Sequence, residues 1–104
     1  MNEIESVQTW LDGLALAAEA DLGKQNAVRD EALQQSRELI RLCSNAIRAG
    51  HRNDWQSAED LLAQADGIGR QMQALLASFP ELYYAGYTQD ALKELVEARV
   101  TLAL

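Results

Sequence analysis

The sequence predicts an all-α fold of long antiparallel helices, and three observations carry that prediction. The only proline in 104 residues is Pro80, and just six glycines interrupt a chain rich in Ala, Leu, Glu, Gln and Arg. Such a composition favours long helices over sheet. Apolar residues recur at three- and four-residue steps, the helical period. Hydrophobic residues make up 48% of the chain, enough for an ordinary core, and the length suits a single domain over residues 1–104.

The first helical segment is expected from about Glu3 to Ala49. Ile4, Val7, Leu11, Leu14 and Ala18 set its stripe, which resumes at Val28 and Ala32 and continues through Leu33, Ser36, Ile40, Cys43 and Ile47. Gly13 and Gly23 weaken it by roughly 1 kcal/mol each relative to Ala, leaving room for a bend or break between Asp21 and Asn26. Gly50 stands where a C-cap glycine belongs.

A second segment starts at Asn53 or Asp54, either of which can cap a helix. Trp55, Ala58, Leu62, Ala65, Met72 and Phe79 line one side, joined by Leu61, Ile68 and Leu75, and Gly67 and Gly69 soften its middle. Pro80 ends it, because the residue before a proline disfavours helical dihedrals. Residues 80–86 read as a connector in which Tyr83 and Tyr84 serve as packing anchors rather than a stacking platform. A third helix begins near Tyr87 or Thr88 and runs to the chain end, with Leu92, Leu95, Val96 and Leu102 as its stripe. The ending Val100-Thr101-Leu102-Ala103-Leu104 is apolar and lacks a cap. It is expected to be covered by further chain or by a partner subunit, since exposed apolar surface costs about 25 cal/mol per Å². Trp10 and Trp55 fall on apolar stripes and read as core.

Several function classes drop out. Cys43 is the lone cysteine, so an internal disulfide and a CxxC zinc site are excluded, and a buried structural thiol is the plain reading. The acidic start does not resemble a signal peptide, and no window approaches the roughly 20 apolar residues a bilayer span needs. A cytoplasmic location follows as the default expectation. With His51 as the single histidine, and no GxSxG, P-loop or HExxH, common catalytic motifs are absent.

The formal net charge of -7 argues against a generally basic surface, but the basic residues are not scattered. Arg37, Arg41, Arg48 and Arg52 are spaced 4, 7 and 4 apart. At 100° per residue they fall within about 60° of one another on a helix, with His51 at the end of the line. Guanidinium groups in a row can track phosphates. The plainer alternative is a solvated face paired with acids, and Glu38 and Asp54 are near enough to pair. Asp90, Glu94 and Glu97 share one face of the third helix. Oxygen-rich faces can hold Mg²⁺ or Mn²⁺ and activate water against a phosphodiester, though acids at such spacing are common on solvated helices.

Two stretches resemble the translin family. One is Ser36-Arg37-Glu38-Leu39-Ile40-Arg41-Leu42-Cys43-Ser44-Asn45-Ala46-Ile47-Arg48-Ala49-Gly50-His51-Arg52, similar to the family's first-helix signature. The other is Pro80-Glu81-Leu82-Tyr83-Tyr84-Ala85-Gly86-Tyr87 with Gln89-Asp90-Ala91-Leu92-Lys93-Glu94-Leu95-Val96-Glu97-Ala98, which looks like a segment of archaeal and bacterial translin-like proteins. The resemblance covers about residues 27–104. It implies long helices assembling into closed homo-oligomeric shells that bind single-stranded RNA or DNA on the inner surface.

In the translin-associated factor X branch, acids of the inner wall bind metal and cut RNA, and Glu94 and Glu97 match that set, with Leu95 in place of the family tyrosine. The resemblance therefore also implies, as an alternative, a Mg²⁺- or Mn²⁺-dependent endoribonuclease with Glu94 and Glu97 catalytic and Asp90 an added ligand. Three departures qualify it. The partner acids of the nuclease set lie on a later helix that this sequence does not contain. Ala85 and Gly86 replace the basic residues that follow the paired tyrosines in translins. The family fold also has more helices than this chain supplies, so the chain is expected either to be part of a longer fold or to complete its fold by self-association. Phosphate contacts are then expected on Arg37, Arg41, Arg48, His51 and Arg52. A helical assembly module without a ligand is the remaining alternative.

Overall fold

The computed structural model describes residues 2–103 as four helices and, among those residues, no strand. They are α1 (Glu3–His51), α2 (Trp55–Leu76), α3 (Pro80–Tyr83) and α4 (Gly86–Ala103). The all-α expectation therefore holds. The molecule is elongated, 76 × 18 × 15 Å with a radius of gyration of 20.8 Å, against about 13 Å for a compact chain of this length. Its long axis is α1 itself, since 49 residues at about 1.5 Å each span roughly 74 Å.

α1 begins with a capping box. The Asn2 side-chain oxygen accepts from the Glu5 amide at 2.8 Å, and Glu5 Oε2 accepts from the Asn2 amide at 3.3 Å. The helix then runs unbroken through residues 21–26, where the sequence leaves room for a bend or break. Two isolated glycines cost about 1 kcal/mol each, which neighbouring Ala, Leu and Gln residues offset without a break. It ends two residues beyond Ala49, with Arg52 as C-cap.

Gly50 is not the cap. It lies inside the helix, and the left-handed residue of the turn is Asn53, at φ 61°. The Asn53 amide donates to the Gly50 carbonyl at 3.0 Å and the Asp54 amide to the Ala49 carbonyl at 2.9 Å, which satisfies the end of α1. Gly50 is buried because a Cβ there would run into the Leu102 side chain and touch Trp55. Its role is close approach of α4, not reversal of the chain.

Asp54 caps α2, its carboxylate accepting from the Ser57 amide at 3.3 Å. Hydrogen bonding from Ser57 holds this carboxyl below its ordinary range. α2 runs back along α1, and α4 then runs parallel to α1, so that Leu102 arrives at Gly50. The expected connector contains a short helix, α3. Thr88 Oγ1 donates to the Leu82 carbonyl and Gln89 Nε2 to the Tyr83 carbonyl, both at 2.8 Å, tying α3 to the start of α4.

The core is Leu39, Leu42, Cys43 and Ala46 of α1, Leu62, Ala65 and Met72 of α2, and Ala91 and Ala98 of α4. Four of these nine are alanines, and with the buried Gly69 and Gly50 they let the helix axes approach closely. Several expected core residues lie elsewhere. Trp10 is 64% exposed and Trp55 49% exposed, while Ile40, Val96 and Val100 also face outward. On α4 the buried line is Thr88, Ala91 and Ala98, which rotates Val96 to the outside. Tyr84 is 73% exposed, so only half-buried Tyr83 anchors the turn, and the two rings meet edge-on at 5.0 Å. Leu102 is half-buried, and Leu104 lies outside the described residues.

The bundle uses only part of α1. From Asn2 to Ala27 every residue is exposed, whereas all eight buried residues of α1 lie between Ala32 and Gly50. Residues 3–27 form an arm that projects beyond the three-helix bundle.

Candidate nucleic-acid interface

Arg37, Arg41, Arg48, His51 and Arg52 are all exposed, on the same helix whose other side is buried in the bundle. The α-helical period places Arg37, Arg41 and Arg48 on one outward face of α1, over about 16 Å of helix axis, and Arg52 follows as the C-cap. The seam buried by α2 and α4 is set by Ala32, Leu39, Leu42, Ala46 and Ala49, roughly 90–170° away around the helix. Burial of that seam fixes the rotation of α1 and so presents the arginines to solvent.

The four arginines are not equivalent. Arg41 is held by Glu38 through two charge-assisted bonds, Nε to Oε2 at 2.9 Å and Nη2 to Oε1 at 2.6 Å. The bond from Arg41 holds the Glu38 carboxyl below its ordinary value. Arg48 Nη1 donates to the neutral Asn45 amide oxygen at 3.2 Å. Arg37 and Arg52 enter no ion pair among the described residues. Glu38 thus forms an ion pair with one member of the stripe, while the charge of Arg52 helps to lower the Asp54 carboxyl without a direct bond. Asp54, expected as a second partner, spends its carboxylate on the N-terminus of α2.

The acids of α4 are distributed differently. Glu97 pairs with Lys93 at 3.8 Å. Glu94 is half-buried on the α1 side, close enough for its charge to help raise the Cys43 thiol. Asp90 is exposed one turn earlier. Among the described residues, no three His, Cys, Asp or Glu side chains form a group able to hold a metal ion. Asp90, Glu94 and Glu97 thus share a helix face without converging.

Cys43 is buried, as expected of a structural thiol. Burial, with a smaller contribution from Glu94, pushes its pKa up to about 11, so it is neither a nucleophile nor a ready ligand at neutral pH. Arg99 makes the long-range ion pair that the sequence did not disclose, clasping Asp66 of α2 from α4, with Nε donating to Oδ1 at 3.2 Å. No periodicity announces that pair, because its partners lie 33 residues apart. No described helix is long and apolar enough to cross a membrane.

No family model and no solved structure matches the chain. It is 34% identical over 79 residues to an uncharacterized protein of Methanocaldococcus jannaschii. That alignment covers 74% of this chain and 34% of the relative, so the chain spans about a third of the length of the curated protein it matches.

Proposed function

We propose that the chain is a single-stranded nucleic-acid-binding protein of translin type that acts as a homo-oligomer. Arg37, Arg41, Arg48 and Arg52, with His51, contact phosphates. The observation that supports this reading is the exposed row of guanidiniums on α1 and its C-cap, in which, among the described residues, only Arg41 is in an ion pair. Arginine suits the task because its planar fork matches phosphate oxygens and never loses its charge. The sequence resemblance supports the same reading through the stretch that contains the row.

The test is binding of a short single-stranded RNA as a function of salt. Each phosphate contact adds about 0.7 to the slope of log affinity against log salt for single strands. Arg41→Glu combined with Arg48→Glu should weaken binding and flatten that slope by about 1.4. A double variant that binds with the wild-type salt dependence removes the stripe as the site.

A further inference from the structure

The outward line of arginines on α1 changes sign in mid-helix. At about 100° per residue, Glu5, Asp12, Glu19 and Asp30 fall within about 40° of Arg37, Arg41 and Arg48. Acids and arginines therefore share one face of the same helix, and all of them are exposed. From Arg37 onward the line is basic, and from Asp30 back to Glu5 it is acidic. Lys24 and Arg29, the two bases that precede Arg37, lie about 100° or more round the helix and do not interrupt the acidic half. Asp30 enters no ion pair among the described residues.

Given the phosphate-binding reading above, on which this rests, we infer that the change of sign closes one end of the phosphate track. The site takes a short single-stranded stretch, one phosphate for each arginine from Arg37 to Arg52. A longer strand gains nothing by running on along α1.

A strand lying on Arg48, Arg41 and Arg37 that continued in the same direction would next meet Asp30, one heptad on. There a phosphate exchanges a guanidinium partner for a carboxylate, and attraction becomes repulsion. Distance decides which acid matters. Asp30 is about 10 Å along the axis from Arg37, about one screening length at 0.1 M salt, so it bears on the first phosphate beyond Arg37. Glu19, about 27 Å from Arg37, is screened from that phosphate and acts only on a strand forced further along the helix. The surplus of a longer strand leaves instead past Arg52, where α1 ends and the chain turns into α2.

The test compares the salt dependence of binding for 5′-phosphorylated oligouridylates of about 4 and 8 nucleotides, within the usual range of single-strand site sizes. The wild type should give the same slope of log affinity against log salt for both, at most about 2.8 from one contact per arginine. Asp30→Arg should raise the slope for the longer strand by about 0.7 and leave the slope for the shorter strand unchanged. Glu31→Arg makes the same change of charge one residue on, about 100° round the helix, and should leave both slopes at the wild-type value. Asp30 and Glu31 are both exposed and arginine is a good helix former, so both variants should keep the wild-type circular dichroism.

A wild-type slope that climbs from the shorter strand to the longer, or an Asp30→Arg variant that behaves like Glu31→Arg, would overturn the closed end while leaving the arginines as the site. Failure of the wild type to bind either strand at low salt would overturn the phosphate-binding reading, and the closed end with it.

Discussion

The two halves of α1 are one helix with apolar stripes in two different environments. Leu39 of the bundle half is fully buried, whereas Leu11 of the N-terminal half is exposed. The same contrast holds for buried Cys43 and exposed Ala15. Helical periodicity records which side of a helix wants cover. It does not record whether cover is present within the same chain.

The sharpest way to break the comparison is to truncate both leucines. Leu39→Ala should cost the bundle about 2–5 kcal/mol, the range for a buried leucine that leaves a cavity. Leu11→Ala should leave the bundle's thermal transition in place, because Leu11 is exposed. Equal losses would mean that the arm is packed within the monomer.

The glycines should respond to different degrees. Gly50→Ala pushes aside the tip of the Leu102 side chain, so the overpacking cost and the roughly 1 kcal/mol helix gain of Ala over Gly oppose each other and the net change should be small. Gly13 has nothing within 4 Å of its added Cβ, so Gly13→Ala should strengthen its stretch of α1 by the full amount of roughly 1 kcal/mol. Circular dichroism melts of the two variants check the difference.

Cys43 adds a pH dependence confined to the bundle. Its folded pKa, pushed up to about 11, lies above the value of an unfolded thiol. Its stability contribution is therefore intact below the ordinary thiol pKa and is lost as pH rises toward 11. The slope should reach about 1.4 kcal/mol per pH unit at most, and Cys43→Ala should abolish it. In denaturant-free buffer Cys43 should resist a thiol reagent, while a cysteine placed at Ala15 in dilute protein reacts freely.

The smallest effects belong to the surface. Acidification through the carboxylate range should release Glu38 from Arg41 and Asp54 from the α2 cap, because both acids are held below their ordinary values only in the folded chain. The stability they add is present above the ordinary carboxylate pKa and fades as pH falls below it. Arg41→Ala should flatten part of that acid limb in a pH-resolved melt.

Much of the fold was legible from local signals. Asp54 announced the start of α2, and the three- and four-residue steps gave the α1 and α2 stripes, but Pro80, expected to end α2, opens α3 four residues after α2 has stopped at Leu76. The positions that misled were the ones whose environment depends on distant chain. Trp10 fits an apolar stripe that no intramolecular helix reaches. Gly50 reads as a cap by its place at the end of a run, but is used for the approach of Leu102 from α4. Val96 fits the period of α4, yet Ala91 and Ala98 turn it outward because small residues let that face come closest. For the candidate site, the line of arginines was plain from spacing, while the neutralisation of Arg41 alone, and the commitment of Asp54 to a helix terminus, required the arrangement of side chains.

By itself the sequence determined that the chain is helical, that Asp54 caps α2, and that its long helices carry apolar stripes, because these follow from dihedral preferences and a fixed period. Tertiary structure alone decided how far along α1 the bundle extends, and hence which apolar residues are core and which arginines face water. Burial is a property of what packs opposite a residue, and a one-dimensional pattern cannot say which stretch of chain will arrive there.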